Sequence, residues 1–125
     1  MTNRIEFALT GHITPYVRMT QGGKFSDPQA QRYLASQEAL RVQMKAQMAA
    51  IGAEMLPAKT RLEVEAAIRT DRKGDLDNIV KAILDAAQGV AICDDRWVDW
   101  ISAERWVADP GEDHAARVEI GVVLP

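Results

Sequence analysis

Residues 69–98 read RTDRKGDLDNIVKAILDAAQGVAICDDRWV, and the fold turns on how this stretch is parsed. Leu76, Ile79, Val80, Ile83, Leu84 and Ala87 recur at intervals of three and four, the spacing of one helical face. Asp75 stands where that helix begins, a position at which a carboxylate can accept free backbone amides. Gly89 stops it. Immediately upstream, Leu62, Val64, Ala66 and Ile68 alternate with Arg61, Glu63, Glu65 and Ala67, the period of a half-buried strand. Asp71 to Gly74 is then a polar turn between strand and helix. Downstream, Trp97 to Val107 is rich in Trp, Val and Ile and reads as a long strand.

Working outward, Ala116, Val118, Ile120, Val122 and Leu124 form a last strand after the turn at Asp109-Pro110-Gly111. Toward the N-terminus, Ile5, Phe7 and Leu9 alternate with polar or small residues and predict a first strand ended by Thr10-Gly11-His12. Thr14 to Phe25 contains Pro15, Gly22 and Gly23 and reads as a loop or loose hairpin. Ser26-Asp27-Pro28 is a helix start, with Asp27 as cap and Pro28 in the first turn. Tyr33, Leu40, Met44, Met48 and Ile51 carry that helix to about Gly52, and Pro57 forbids its continuation. The expected class is α+β: one domain over residues 1–125, a small mixed sheet packed with two helices, in the order β-α-β-α-β-β.

Composition sets outer limits. A chain of 125 residues with 47% hydrophobic content supports one globular core and is too apolar for a disordered segment. No apolar run approaches the roughly 18 residues of a membrane span. The first residues lack the apolar stretch of a signal peptide, so a cytoplasmic location is expected. One cysteine, Cys93, rules out an intramolecular disulfide, and it reads as a small buried residue. His12 and His114 lie far apart in sequence, with no Cys partner and no HxxxH spacing, so no zinc site is expected. The net charge of −3 argues weakly against a nucleic-acid binder. Its distribution is uneven: residues 1–74 carry 11 Lys/Arg and 7 Asp/Glu, residues 75–125 carry 4 and 11. A basic half beside an acidic half suits a protein that holds phosphates on one surface and metal ions on another.

The acidic half is concentrated around the second helix. Asp77, Lys81 and Asp85 follow one another at intervals of four on one face. Asp94 and Asp95 come after the helix, at the start of the next strand. Each has an ordinary structural explanation: a cap, a favourable helix-dipole position, a rung of an exposed ion-pair ladder, a turn. Together, three short carboxylates converging from a helix start and a strand start repel one another and need a cation or protons to coexist. Mg²⁺ takes oxygen ligands and keeps several waters, so two or three aspartates suffice. Such a site can activate water for attack on a phosphodiester, with Lys81 as a fixed positive charge beside the phosphate.

DLDN with a lysine three residues on, then an aliphatic helix, then DD and a hydrophobic strand, resembles the RusA family of endodeoxyribonucleases. TPYVRMT and GKFSDPQAQRYL are similar to the family's N-terminal loop and first helix, so the likeness runs from about Ile5 to Val107. The resemblance implies a small phage or prophage enzyme, a homodimer that resolves four-way (Holliday) DNA junctions with Mg²⁺ or Mn²⁺. It carries the metal-binding and catalytic roles to Asp75, Asp77 and Asp95 and an essential role to Lys81, with Asn78 in support. The founding member's arginine run before DLD is diluted here by Asp71 and Gly74, and the link from helix to DD is shorter. The dilution bears on DNA affinity and junction selectivity.

Arg18, Lys24, Arg69, Arg72 and Lys73 flank the motif and are the expected phosphate contacts. Trp97, Trp100 and Trp106 can stack on unpaired bases, but at least two are expected in the core or a dimer interface. Two other readings compete with a resolvase: a branched-DNA-binding relative without activity, separated by a test of divalent-dependent nicking, and a metal-dependent nucleotide phosphohydrolase. The second is weakened by the absence of a phosphate-cradling glycine loop.

Overall fold

The computed structural model describes residues 2–18 and 27–124. Its elements are β1 (Arg4–Thr10), α1 (Pro28–Ile51), β2 (Leu62–Thr70), α2 (Leu76–Ala87), β3 (Val98–Val107) and β4 (Ala115–Val122), with a single 3₁₀ turn at Asp95–Trp97 before β3. This is the α+β order expected from the periodicities. The helix limits follow their local chemistry. Asp27 caps α1 by accepting from the Gln29 amide at 2.9 Å, Pro28 opens the first turn, and Gly52 ends the helix at φ 66°.

The four strands form one mixed sheet in the order β1-β4-β2-β3. β4 lies between β1 and β2 and is antiparallel to both, whereas β2 and β3 run parallel. A parallel neighbour requires a crossover, and α2 supplies it. Both helices lie on one face. Ile5, Phe7 and Leu9 from β1, Val64 and Ile68 from β2, and Val118 and Ile120 from β4 point into that layer and are almost fully buried. They meet Tyr33, Leu40 and Met44 from α1 and Ile79 and Ile83 from α2. Burying such side chains supplies most of the stabilisation of a domain this small, about 1.5–3 kcal/mol each. The helices are also joined by polar contacts: the buried Gln37 amide donates to the Ala82 carbonyl at 2.7 Å, and Arg41 donates to the Asp85 carbonyl at 3.0 Å.

The two edges of the sheet differ. The outer backbone of β1 is engaged at Ala8 and Thr10 by side chains from α1. Gln47 accepts from the Ala8 amide at 2.9 Å and donates to its carbonyl at 2.7 Å. Gln43 does the same at Thr10, at 2.8 and 3.0 Å. Each glutamine amide thus imitates one residue of a neighbouring strand. The outer edge of β3 has no strand beside it among the described residues, and Trp100, Ile101, Trp106 and Val107 are exposed along it.

Register explains why the tryptophans do not enter the core. Trp100 pairs with Glu63 and Trp106 with Arg69, both on the face of β2 turned away from the helices. Trp100 is 65% and Trp106 62% exposed, so of the core or dimer-interface role expected of them neither takes the core position; Trp97 is half-buried. Cys93 is also exposed rather than buried, with its Sγ 3.5 Å from the Met55 sulfur. The preceding Ile92 takes the interior position instead.

Candidate active site

The segment leading into α2 is set by backbone geometry. Gly74 has φ +78°, and Pro15 packs so close that a Cβ at residue 74 would overlap its ring. The Gly74 carbonyl accepts from Arg105 at 2.8 Å. Glycine therefore stands in this basic segment because the turn admits no side chain there. Asp75 occupies the N-cap position in extended conformation, yet its side chain makes no cap hydrogen bond. That leaves its carboxylate available for other work.

Asp77 and Lys81 on α2 and Asp95 at the start of the 3₁₀ turn line one groove of about 580 Å³ between α2 and β3. Its floor is apolar, formed by Leu76, Val80, Leu84, Val98, Ile101 and Ala103. Asp75 opens on the neighbouring hollow, with Lys73, Asn78, Gln29 and the Thr14–Val17 segment. Asp77, Lys81 and Asp95 therefore come together from separate elements, and Asp75 sits next to them on the other side of the helix start. The three aspartates do not gather their oxygens into one tight group: among the described residues, the sole three-ligand set with donor atoms all within 4.8 Å lies elsewhere.

Lys81 is held from three sides. Its Nζ lies 3.3 Å from Asp85 Oδ1, 3.8 Å from Asp95 Oδ2 and 4.9 Å from the centroid of the Tyr16 ring. Asp85 in turn accepts from the Tyr33 hydroxyl at 2.8 Å and from the Gln88 amide at 3.3 Å. Burial, together with the Asp85 carboxylate, pushes the Tyr33 phenol well above its ordinary range, so it stays a hydrogen-bond donor. Tyr16 packs edge-on against Tyr33, and its amide donates to the Asn78 carbonyl at 3.0 Å. Asp85, Tyr33 and Tyr16 were not singled out for this role in the sequence. The one available signal was the interval of four between Lys81 and Asp85. Asp94 turns away from the groove: it caps the Arg96 amide and pairs with the Arg96 guanidinium, contacts that hold its carboxyl below the usual range.

The expected phosphate contacts scatter. Arg72 and Lys73 are exposed on the turn just before Asp75. Arg18 is exposed at the end of the described N-terminal segment, and Lys24 lies outside the described residues. Arg69 is on the sheet face away from α2, where it donates to the Asp113 carbonyl at 2.8 Å.

At the other end of the Asp71–Gly74 turn lies a cluster the sequence did not announce. His12, Asp71 and His114 each offer a donor atom within 4.8 Å of the others. His12 Nε2 is 3.4 Å from Asp71 Oδ2, and the two imidazoles meet edge-on with centroids 5.0 Å apart. Distance along the chain was a poor guide. β4 sits between β1 and β2, and Ala115 pairs with both Thr10 and Arg69, so residues just beyond these positions converge. Burial raises the Asp71 pKa, but the Lys73 amide and the His12 ring outweigh it and hold the carboxyl below the usual range.

A family model described as endodeoxyribonuclease RusA matches residues 10–122 of the chain. No curated protein matches it.

Proposed function

The chain belongs to the RusA family of endodeoxyribonucleases, Holliday-junction resolvases whose match spans residues 10–122, and from that premise we propose a divalent-metal-dependent nuclease. It resolves four-way DNA junctions by hydrolysing phosphodiester bonds, in recombination and repair. The observation that carries this reading is the groove in which Asp77 and Asp95 flank Lys81 from two elements.

The donor set fits a hard cation. Asp75, Asp77 and Asp95 offer only carboxylate oxygens, as Mg²⁺ or Mn²⁺ prefers, and Asp75 spends none of its capacity on a cap. When bound, the ion supplies a Lewis acid for the phosphate and a lowered pKa for water. The protein's own part is positioning. Asp85, anchored by Tyr33, holds the Lys81 ammonium at the groove, where it opposes the charge that builds on the phosphate oxygens. Arg72 and Lys73, with Arg18 and Lys24, contact flanking phosphates. Arg69, on the opposite face of the sheet and donating to the Asp113 carbonyl, stands apart from this set.

The protein acts as a homodimer, which presents two sites to the two strands of a symmetric junction. The bare β3 edge supports this: a long exposed edge carrying apolar side chains is a surface for strand pairing. Among the described residues, no helix is long and apolar enough to cross a membrane.

The test is incubation of the protein with a synthetic four-way junction and with linear duplex, in Mg²⁺ and in EDTA. Paired nicks in the junction alone, abolished by EDTA, are expected. Equal cleavage of duplex, or binding with no cleavage in any divalent ion, overturns the reading.

A further inference from the structure

The His12, Asp71 and His114 cluster has no part in the carboxylate groove, and its geometry asks for an explanation. The contact of 3.4 Å between His12 Nε2 and Asp71 Oδ2 is long for a charge-assisted hydrogen bond, which runs at about 2.7–2.9 Å. It is close to the edge of a tetrahedron built on metal–ligand bonds of 2.0–2.1 Å, about 3.3–3.4 Å. Two of the three ligands are also oriented from behind. His114 Nδ1 lies 2.9 Å from Thr70 Oγ1, and Thr70 is 2% exposed, so the ring is held by a buried hydroxyl while Nε2 remains for a ligand. Asp71 Oδ1 accepts from the Lys73 amide at 3.0 Å, which leaves Oδ2 toward His12. Outer partners of this kind fix the ring orientation and tautomer of metal-binding histidines. The Gly11 amide donates to the His114 carbonyl at 3.0 Å and ties the His12 segment to the start of β4.

We propose that His12, Asp71 and His114 form a second cation site, separate from the aspartates around Lys81, for a borderline transition metal such as Zn²⁺ or Co²⁺. Two imidazoles and one carboxylate select such an ion over Mg²⁺, which prefers an all-oxygen set. Three protein ligands leave a coordination position open to water or to a phosphate oxygen. With neutral imidazoles, the ion changes the cluster from −1 to +1 beside Arg72 and Lys73. It would thereby offset the charge that Asp71 introduces into this basic segment.

The experiment is titration of the full chain with Co²⁺ in the presence of excess Mg²⁺, which keeps the carboxylate groove occupied. Calorimetry gives the stoichiometry and visible absorption gives the ligand field. One equivalent with an imidazole-type spectrum of low coordination number is expected, displaced by Zn²⁺. His114→Ala and His12→Gln should each weaken uptake by about 10²-fold or more, and Thr70→Val by about 10–100-fold, the range for loss of an outer partner. Asp77→Asn should leave uptake unchanged. His12 is exposed, so His12→Gln is expected to fold, and circular dichroism checks each variant. No uptake by the wild type, uptake that excess Mg²⁺ abolishes, or uptake that survives both histidine substitutions overturns the proposal.

Discussion

At one end of the Asp71–Gly74 turn, His12, Asp71 and His114 bring three donor atoms within 4.8 Å. At the other, Asp75 faces one hollow while Asp77 and Asp95 line the next, with Lys81 against Asp85 and Asp95. The difference is electrostatic. At the first cluster two imidazoles, neither able to carry negative charge, converge on a single carboxylate. Two carboxylates about 4 Å apart repel by about 4 kcal/mol at the effective dielectric of a protein surface. A cluster of aspartates is therefore expected to close only around its cation, whereas the histidine cluster is arranged beforehand. Gathered donors mark a stiff site, and spread carboxylates mark one completed by what it binds.

The sharpest way to break this comparison is to neutralise one carboxylate. Asp77→Asn is expected to reduce junction cleavage by about 10³-fold or more, beyond the loss of a single charge contact. Junction binding should persist or tighten, because a negative charge near the phosphate is gone. Single-turnover cleavage and gel-shift titration separate the two effects. Loss of both in a folded protein would make Asp77 a scaffold residue. Lys81→Ala should slow cleavage by about 10²-fold. The melting temperature should barely move, since the side chain is 44% exposed and its ion pair with Asp85 is worth a few tenths of a kcal/mol. A wild-type single-turnover rate would return Lys81 to the surface ladder.

Tyr33→Phe tests the support beneath that lysine. It removes the donor at 2.8 Å from a part-buried carboxylate and should lower unfolding stability in urea by about 1.5–3 kcal/mol. Cleavage should fall less than tenfold, about the low end of effects from outer partners. A rate loss as large as that of Lys81→Ala would mean that the hydroxyl itself meets the substrate. The smallest effect is expected at the other cluster. His114→Ala should leave Mg²⁺-dependent cleavage within about twofold of wild type, as for independent sites. It should also abolish the rise in melting temperature that Zn²⁺ gives the wild type by binding the folded state. A large rate loss in Mg²⁺ alone would merge the two clusters into one site.

Local pattern explains what could be read in advance. The amphipathic α2, the Asp27 and Gly52 limits of α1 and the alternation of β1, β2 and β4 are set by neighbours within a few residues. The motif from Asp75 to Lys81 is equally local, and Asp95 follows from the short link after α2. Three features depended on long-range placement instead. The histidine cluster exists because β4 inserts between β1 and β2, so its members are separated along the chain by most of its length. Trp100 and Trp106 are strand-like in composition, but the register with Glu63 and Arg69 decides which face they occupy. The glycine in the basic segment is explained by Pro15, which lies far upstream in sequence.

The glutamine-lined edge of β1 has a consequence for assembly. A sheet with two open edges can add copies at both ends and grow into a fibre. Here Gln43 and Gln47 already occupy the backbone groups of Ala8 and Thr10. In the homodimer proposed above, a two-fold pairing through β3 would consume that edge on both partners. The resulting eight-stranded sheet would terminate at each end in a β1 whose Ala8 and Thr10 are already engaged by its own helix. Such a pairing would stop at two, a closed point-group assembly that Gln43 and Gln47 help to cap.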